Sequence, residues 1–165
     1  VEIQIAGENG DKLGSNQTGE ILVKGQMVME GYLNKPYMTE EYLKNGWLHT
    51  GDLGMIDDEG YIHLLGRKKE IINIGGLKVS PGEVEEILLK YDGIVEAAIV
   101  GVKSSDNISD EAIKAFIITD DEVSIKDLEK FCLGKMESYK LPTKFEIVES
   151  LPKSSSGKIQ RHLLN

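Results

Sequence analysis

Apolar and polar positions alternate with a period of two through the first third of the chain. "VEIQIA", "GEILVKG" and "MVMEGY" are alternating or β-rich runs separated by Gly and Asn, and each predicts a strand. "MTEEYLKNGW" predicts one short helix, with Thr39 as its N-cap. This part reads as a fragment of a β-barrel or meander. In "HTGDLGMIDDEGYIHLLGRKKE" two strands are joined at Asp57-Asp58-Glu59-Gly60, a hairpin by its turn chemistry. A turn centred near Glu59 pairs the strands so that Asp52 faces Gly66, with Arg67 beside it. A carboxylate and a guanidinium then meet at one end of the hairpin.

The pattern changes after Arg67. "RKKE" is a charged cluster, "IINIGGLKV" predicts a hairpin around Gly75-Gly76, and "SPGEVEEILLKY" predicts a helix. That helix has Ser80 as N-cap, Pro81 at its first position, Glu83 closing a capping box, and Val84, Ile87 and Leu88 on one face. "VEAAIVGV" and "EAIKAFIIT" predict two strands, "SIKDLEKFCLGKM" a second capped helix, and "TKFEIVE" a last strand. The chain is therefore α+β, with a compact α+β unit from about Lys69 onward. The boundary falls at Arg67-Lys68-Lys69, where few apolar contacts can cross. The chain shows no internal repeat and no low-complexity segment.

Composition narrows the setting. The 165 residues are 40% apolar, enough for one good core or a compact domain plus a smaller lobe. With 28 acidic against 19 basic residues the net charge is −9, which argues against sequence-independent binding to nucleic acid or to an anionic membrane surface. Any anionic partner must be held locally. The single cysteine, Cys132, forms no internal disulfide and has no second metal-ligand type at a useful spacing, so it reads as structural and no metal set is assigned. No apolar run is long enough to span a membrane, and Val1–Ala6 reads as a strand rather than a signal peptide, which sets the expectation of a cytoplasmic protein. A first residue other than Met sets the expectation of a piece of a longer protein.

Each local signal has two readings. Thr50-Gly51-Asp52 is either an Asx-type turn where a strand begins, or a site whose carboxylate accepts both hydroxyls of a ribose while Arg67 reaches a nearby oxygen or phosphate. An Asp52–Arg67 ion pair in which each satisfies the other is the structural alternative. Gly75-Gly76 is either a tight turn or a place where backbone approaches a ligand closely. "SSSGKI" is not a P-loop: the required Gly five positions before Gly157 is Pro152, and Ile159 stands where Ser or Thr is needed. What remains is either a frayed tail or a lysine, Lys158, on a flexible Ser-rich tip that reaches into a site built elsewhere.

Taken in order, "GEILVKG … GYLNKP", "GWLHTGDLG", "GRKKEIINIGGLKVSPGEVE" and "LPKSSSGKIQR" resemble the adenylate-forming, AMP-binding superfamily of acyl-CoA synthetases, luciferases and peptide-synthetase adenylation domains. The resemblance implies that residues 1–67 are the β-rich, barrel-like end of a large N-terminal domain and residues 68–165 a small, mobile, mixed α/β C-terminal domain. The family's Ser/Thr/Gly-rich phosphate loop and acyl pocket would lie upstream, which implies that this piece alone is inactive. It implies ATP, Mg2+ and CoA as reactants: a carboxylate attacks the α-phosphate to give an acyl adenylate, and a thiol then displaces AMP. By resemblance Asp52 is the ribose-binding aspartate, Arg67 the adjacent contact, Lys69 the hinge, Lys158 the lysine of the adenylation step, and Gly75-Gly76 the loop against the pantetheine arm. The ending "SSSGKIQR" looks like the acyl-CoA synthetase branch, with a place in fatty acid metabolism. Loading of a carrier protein is the alternative partner, and a non-catalytic binding module the reading from another class.

Overall fold

The computed structural model describes residues 1–103 and 111–164. The chain divides into two compact units, Val1–Lys69 and Glu70–Asn165.

In the first unit the alternating runs become antiparallel strands. β1 (Glu2–Ala6) pairs with β2 (Gly19–Lys24), with Glu2 opposite Lys24 and Ala6 opposite Glu20. β2 pairs in turn with the long β4 (Trp47–Ile56), whose other edge carries β3 (Leu43–Lys44) and β5 (Ile62–Arg67) in one five-stranded sheet. Ile5, Ala6, Ile21, Leu22 and Leu53 are buried in this unit, and their removal from water holds the strands together.

Three local expectations are corrected here. "MVMEGY" is not a strand: a turn closes from the Val28 N–H to the Gly25 carbonyl, and Met27 is exposed. The helix α1 is Pro36–Tyr42 with Lys35 at the N-cap, so Thr39 lies inside it. Proline at the first helical position has its φ preset and lacks an N–H that would go unbonded there. Thr39 instead takes the Tyr32 N–H on its hydroxyl and donates to the Lys35 carbonyl. "LKNGW" is a hairpin rather than helix, with Leu43 opposite Leu48 and Lys44 opposite Trp47 across Asn45-Gly46. Asn-Gly between two strands is a strong signal for this tight turn, and it outweighs the helical pattern before it.

The second unit is built on a three-stranded sheet ordered β10-β9-β8. β8 (Ile94–Lys103) and β9 (Glu111–Thr119) are antiparallel, and β10 (Lys144–Ile147) lies parallel to β9. Because side chains alternate faces, Ala97, Ile99, Ile113, Ala115 and Ile117 form one layer. Against that layer pack Ile72 and Val79 of the hairpin β6 (Ile72–Ile74)–β7 (Leu77–Val79), Val84 and Leu88 of α2 (Pro81–Leu88), and Leu128 and Cys132 of α3 (Ile125–Leu133). Cys132 is thus a core residue, and burial pushes its thiol pKa up.

The opposite face of the sheet is also covered. Ala98, Val100 and Phe116 pack with Leu151, Val148, Ile159 and Leu164. The C-terminal segment is therefore docked on the back of the sheet, which removes the frayed-tail alternative. Ser80 and Pro81 open α2 as expected, but the Ser80 side chain makes no cap bond; Glu83 in the first turn pairs with Lys140. Ser124 does cap α3, accepting the Asp127 N–H.

Candidate functional site

The Thr50–Asp52 stretch lies within β4, where the register with β2 shifts, and it is fixed from two sides. The Thr50 hydroxyl donates to the Ile21 carbonyl at 2.7 Å and accepts the Asp52 N–H at 3.1 Å, which staples β4 to β2. Gly51 has φ +71°, a conformation that glycine adopts without steric cost, and its N–H donates to Glu20 Oε1 at 3.2 Å.

Across the hairpin the pairing differs by one residue from expectation. Ile56 faces Ile62 and Gly54 faces Leu64, but a bulge then adds Leu65 to β5, so that Leu53 faces Gly66 and Asp52 faces Arg67. The two charged side chains therefore leave the same face of the ladder. Arg67 Nε lies 3.0 Å from Asp52 Oδ1, and Arg67 Nη1 donates to the Thr50 carbonyl at 3.1 Å. The guanidinium thus braces both ends of the Thr50–Asp52 stretch. The ion pair is made through Oδ1, and a carboxylate offers about four lone-pair sites, so acceptor capacity remains for two adjacent hydroxyls.

Glu20 belongs to this site, although the sequence reading did not single it out. Its side chain is 11% exposed; Oε2 accepts from Lys68 Nζ at 3.0 Å and lies 3.3 Å from His49 Nδ1. Burial works to raise its pKa, but the hydrogen bonds from Lys68 and His49 and their charges outweigh burial and hold the carboxyl below its ordinary value. The available signal was phase: Glu20 alternates with buried Leu22 on β2, an unusual place for a carboxylate. One side chain thus ties β2 to Gly51 and to Lys68.

Lys69 closes the first unit, in the 3-10 turn Lys68–Glu70. Its ammonium donates to the Tyr42 hydroxyl at 3.1 Å and lies 5.7 Å from the centre of that ring. The hydrogen bond to Tyr42, aided by the charge of Glu41, raises its pKa. This contact lay beyond the sequence reading, which placed Lys69 in a charged cluster and, by resemblance, at the hinge.

Gly75, Gly76 and Lys158 belong to the second unit. Gly75 and Gly76 have φ +56° and +86° between the facing residues Ile74 and Leu77, as a tight two-residue hairpin demands. The Asn73 N–H donates to Glu111 Oε2 at 2.7 Å, which anchors the hairpin to β9. A Cβ added at either glycine would meet nothing within 4 Å, so the tip has room around its backbone.

Lys158 is exposed, but its setting is not flexible in the way the serines suggested. Lys153 and Ile159 bridge antiparallel, the Ser154 N–H donates to the Lys158 carbonyl at 2.8 Å, and the Gly157 N–H donates to the Ser154 carbonyl at 2.9 Å. The Lys158 N–H donates to the Ser154 hydroxyl at 3.2 Å. Lys153 pairs with Glu96 of β8 at 2.6 Å, which pins the base of this turn to the sheet. The result is a small hydrogen-bonded hairpin that presents one ammonium group to solvent.

Among the described residues no helix is long and apolar enough to cross a membrane. Residues 83–158 match the AMP-binding enzyme C-terminal domain. The chain is 39% identical over 164 residues to a long-chain-fatty-acid–CoA ligase of Escherichia coli O6:H1, covering 99% of this chain and 29% of that protein. A 2-succinylbenzoate–CoA ligase of Bacillus mycoides is 40% identical over 146 residues, covering 88% of this chain and 30% of that protein. The o-succinylbenzoate CoA synthetase of Bacillus subtilis, solved with its acyl-adenylate intermediate, superposes with a TM-score of 0.93 at 35% identity, covering 99% of this chain and 33% of that one. The chain thus spans less than a third of the length of the curated relatives it matches. With the four motifs in order, the fold of both units and these likenesses, the chain belongs to the adenylate-forming, AMP-binding superfamily.

Proposed function

We propose that this chain is the C-terminal part of an ATP-dependent, AMP-forming acid–thiol ligase. Its first unit would end the large nucleotide-binding domain, and its second would be the small mobile domain. The observation that carries this reading is the similarity to CoA ligases along 99% of the chain; the Asp52–Arg67 pair and the exposed lysine of the Lys158 turn support it by supplying a carboxylate and an ammonium group of the kinds it needs.

In the first step a carboxylate oxygen of the acid attacks the α-phosphorus of MgATP and the bond to pyrophosphate breaks. Asp52 accepts the two ribose hydroxyls, and Arg67, braced on the Thr50 carbonyl, holds that carboxylate in place. Lys158 brings one positive charge to the phosphorus centre, where negative charge accumulates as the two anions approach. In the second step a thiol sulfur attacks the acyl carbonyl, loses its proton and expels AMP. For that step the small domain turns about Lys69 and brings the Gly75-Gly76 tip along the thiol-bearing arm.

CoA is the favoured thiol, because the relatives are named as CoA ligases; a carrier protein would bear the same arm and is the second acceptor to test. The full-length enzyme should catalyse ATP–pyrophosphate exchange with at least one acid from a panel opened by long-chain fatty acids and 2-succinylbenzoate. Exchange with no acid would overturn the reading; thioester formation with a pantetheinylated carrier but not with CoA would move it to the other acceptor. Lys158→Ala should slow adenylate formation by on the order of a hundredfold and spare thioester formation from a supplied adenylate.

A further inference from the structure

The lysine turn is held by a second device that lies outside the roles proposed above. Arg161 follows Lys158 by three residues and opens the 3-10 turn Arg161–Leu163. Its Nη2 donates to both Glu85 oxygens at 2.9 and 2.8 Å, its Nε donates to Glu85 Oε1 at 3.2 Å, and its Nη1 donates to Glu70 Oε2 at 2.8 Å. The side chain is 22% exposed and Glu85 is 13% exposed, so the pair is largely withdrawn from solvent. Glu85 also accepts the Ile99 N–H of β8 at 2.8 Å. One carboxylate therefore joins helix α2, the central sheet and the segment that carries Lys158.

The second carboxylate adds a different connection. Glu70 is the residue after Lys69, so the guanidinium is anchored next to the proposed pivot at one end and three residues from the catalytic lysine at the other. A guanidinium is a rigid planar fork, and when both of its edges are engaged its backbone has little freedom to shift.

We infer that Arg161 is a positioning residue for adenylation: clamped between Glu85 and Glu70, it fixes the Ser154–Gly157 turn so that the Lys158 ammonium is pre-placed for the phosphorus centre. The inference rests on the ligase reading above. It adds that the turn's rigidity, set from the hinge side, controls the first half-reaction. Without the clamp Lys158 keeps its charge but loses its fixed position, and a displacement of about 1 Å can cost on the order of a hundredfold in rate.

The test uses the full-length enzyme with Arg161→Ala, and with Glu70→Gln as a milder variant that removes one contact of the clamp and leaves the Glu85 fork intact. Each is read by adenylate formation, by thioester formation from a supplied adenylate, and by the rate of tryptic cleavage after Lys158 under native conditions. For Arg161→Ala the expected result is adenylation slowed roughly tenfold or more with the ATP KM unchanged, thioester formation retained, and cleavage after Lys158 accelerated relative to other sites. Glu70→Gln should move the same quantities in the same direction by less, and it carries the test if Arg161→Ala does not fold. Unchanged adenylation in a folded variant overturns the inference, as does an equal loss in both half-reactions with unchanged cleavage after Lys158. If the unaltered enzyme makes no adenylate with any acid, the ligase reading fails instead, and the cleavage arm alone still decides whether Arg161 holds the turn.

Discussion

At the scale of single residues, the sheet around Gly51 depends on a carboxylate that is nearly buried. Glu20 is held below its ordinary pKa of 4.5: burial opposes this, and the hydrogen bonds and charges of Lys68 and His49 prevail. A group whose pKa is depressed on folding contributes stability that is fully present above its unfolded pKa and is lost as pH falls through the folded value. The first unit should therefore lose stability as pH drops below the ordinary carboxylate range, and Glu20→Gln should flatten that acid limb of an unfolding series. The substitution should also loosen the Gly51 N–H, read as faster hydrogen exchange there. An acid limb unchanged by Glu20→Gln would show that other carboxylates carry it. Asp52, Arg67 and Lys158 are singled out at this scale by motif order, whereas Glu20 is not, because its significance lies in which partners surround it.

At the scale of elements, the β6–β7 hairpin separates backbone preference from contact. Both tip residues have positive φ, but Gly75 at +56° lies where Asn is tolerated, while Gly76 at +86° strains any larger residue. A Cβ at Gly75 meets nothing within 4 Å and Asn tolerates this backbone conformation, so Gly75→Asn should leave the melting temperature nearly unchanged. If the tip runs along the thiol-bearing arm, Gly75→Asn should raise the CoA KM or slow thioester formation in the full-length enzyme while adenylation stays constant. Equal kinetics in both half-reactions would remove the hairpin from the thiol path. Gly76→Leu should show the same kinetic bias together with a lower melting temperature. This hairpin and α3 with its Ser124 cap were readable because a turn and a cap are decided within about four residues. The helix written across "MTEEYLKNGW" exists but was given the wrong limits for the same reason in reverse, since Pro36 and Asn45-Gly46 set its ends more strongly than the apolar period between them.

At the scale of the whole molecule, the first compact unit ends at Lys69, within a three-residue 3-10 turn. The reaction proposed above needs the second unit to take two orientations in turn, and Lys69 is the residue at which the backbone would swivel. Lys69→Pro fixes φ near −65° and restricts the residue before it. In the full-length enzyme it should allow adenylation and block thioester formation, the reverse of Lys158→Ala. Thioester formation at the unaltered rate would take Lys69 out of the hinge role. Lys69→Ala, which loses the Tyr42 hydrogen bond but leaves the torsion free, should affect the second step far less, and this contrast separates backbone from side chain.

The sequence by itself determined the strands and helices of the second unit and their order, the turn at Gly75-Gly76, and the four motifs that mark the superfamily. Period, capping and turn chemistry act over a few residues and leave their mark locally. Tertiary structure decided which charges meet. A one-residue bulge at Leu65 put Arg67 rather than Gly66 opposite Asp52, and strand pairing alone sets that register. Packing of Leu151, Ile159 and Leu164 on the back of the sheet turned a serine-rich end into a docked hairpin. Arg161 reaches Glu85 and Glu70 across 76 and 91 residues of chain, distances over which no local pattern selects a partner. Only the folding of a hydrophobic sheet between two covered faces brings those groups within hydrogen-bonding reach.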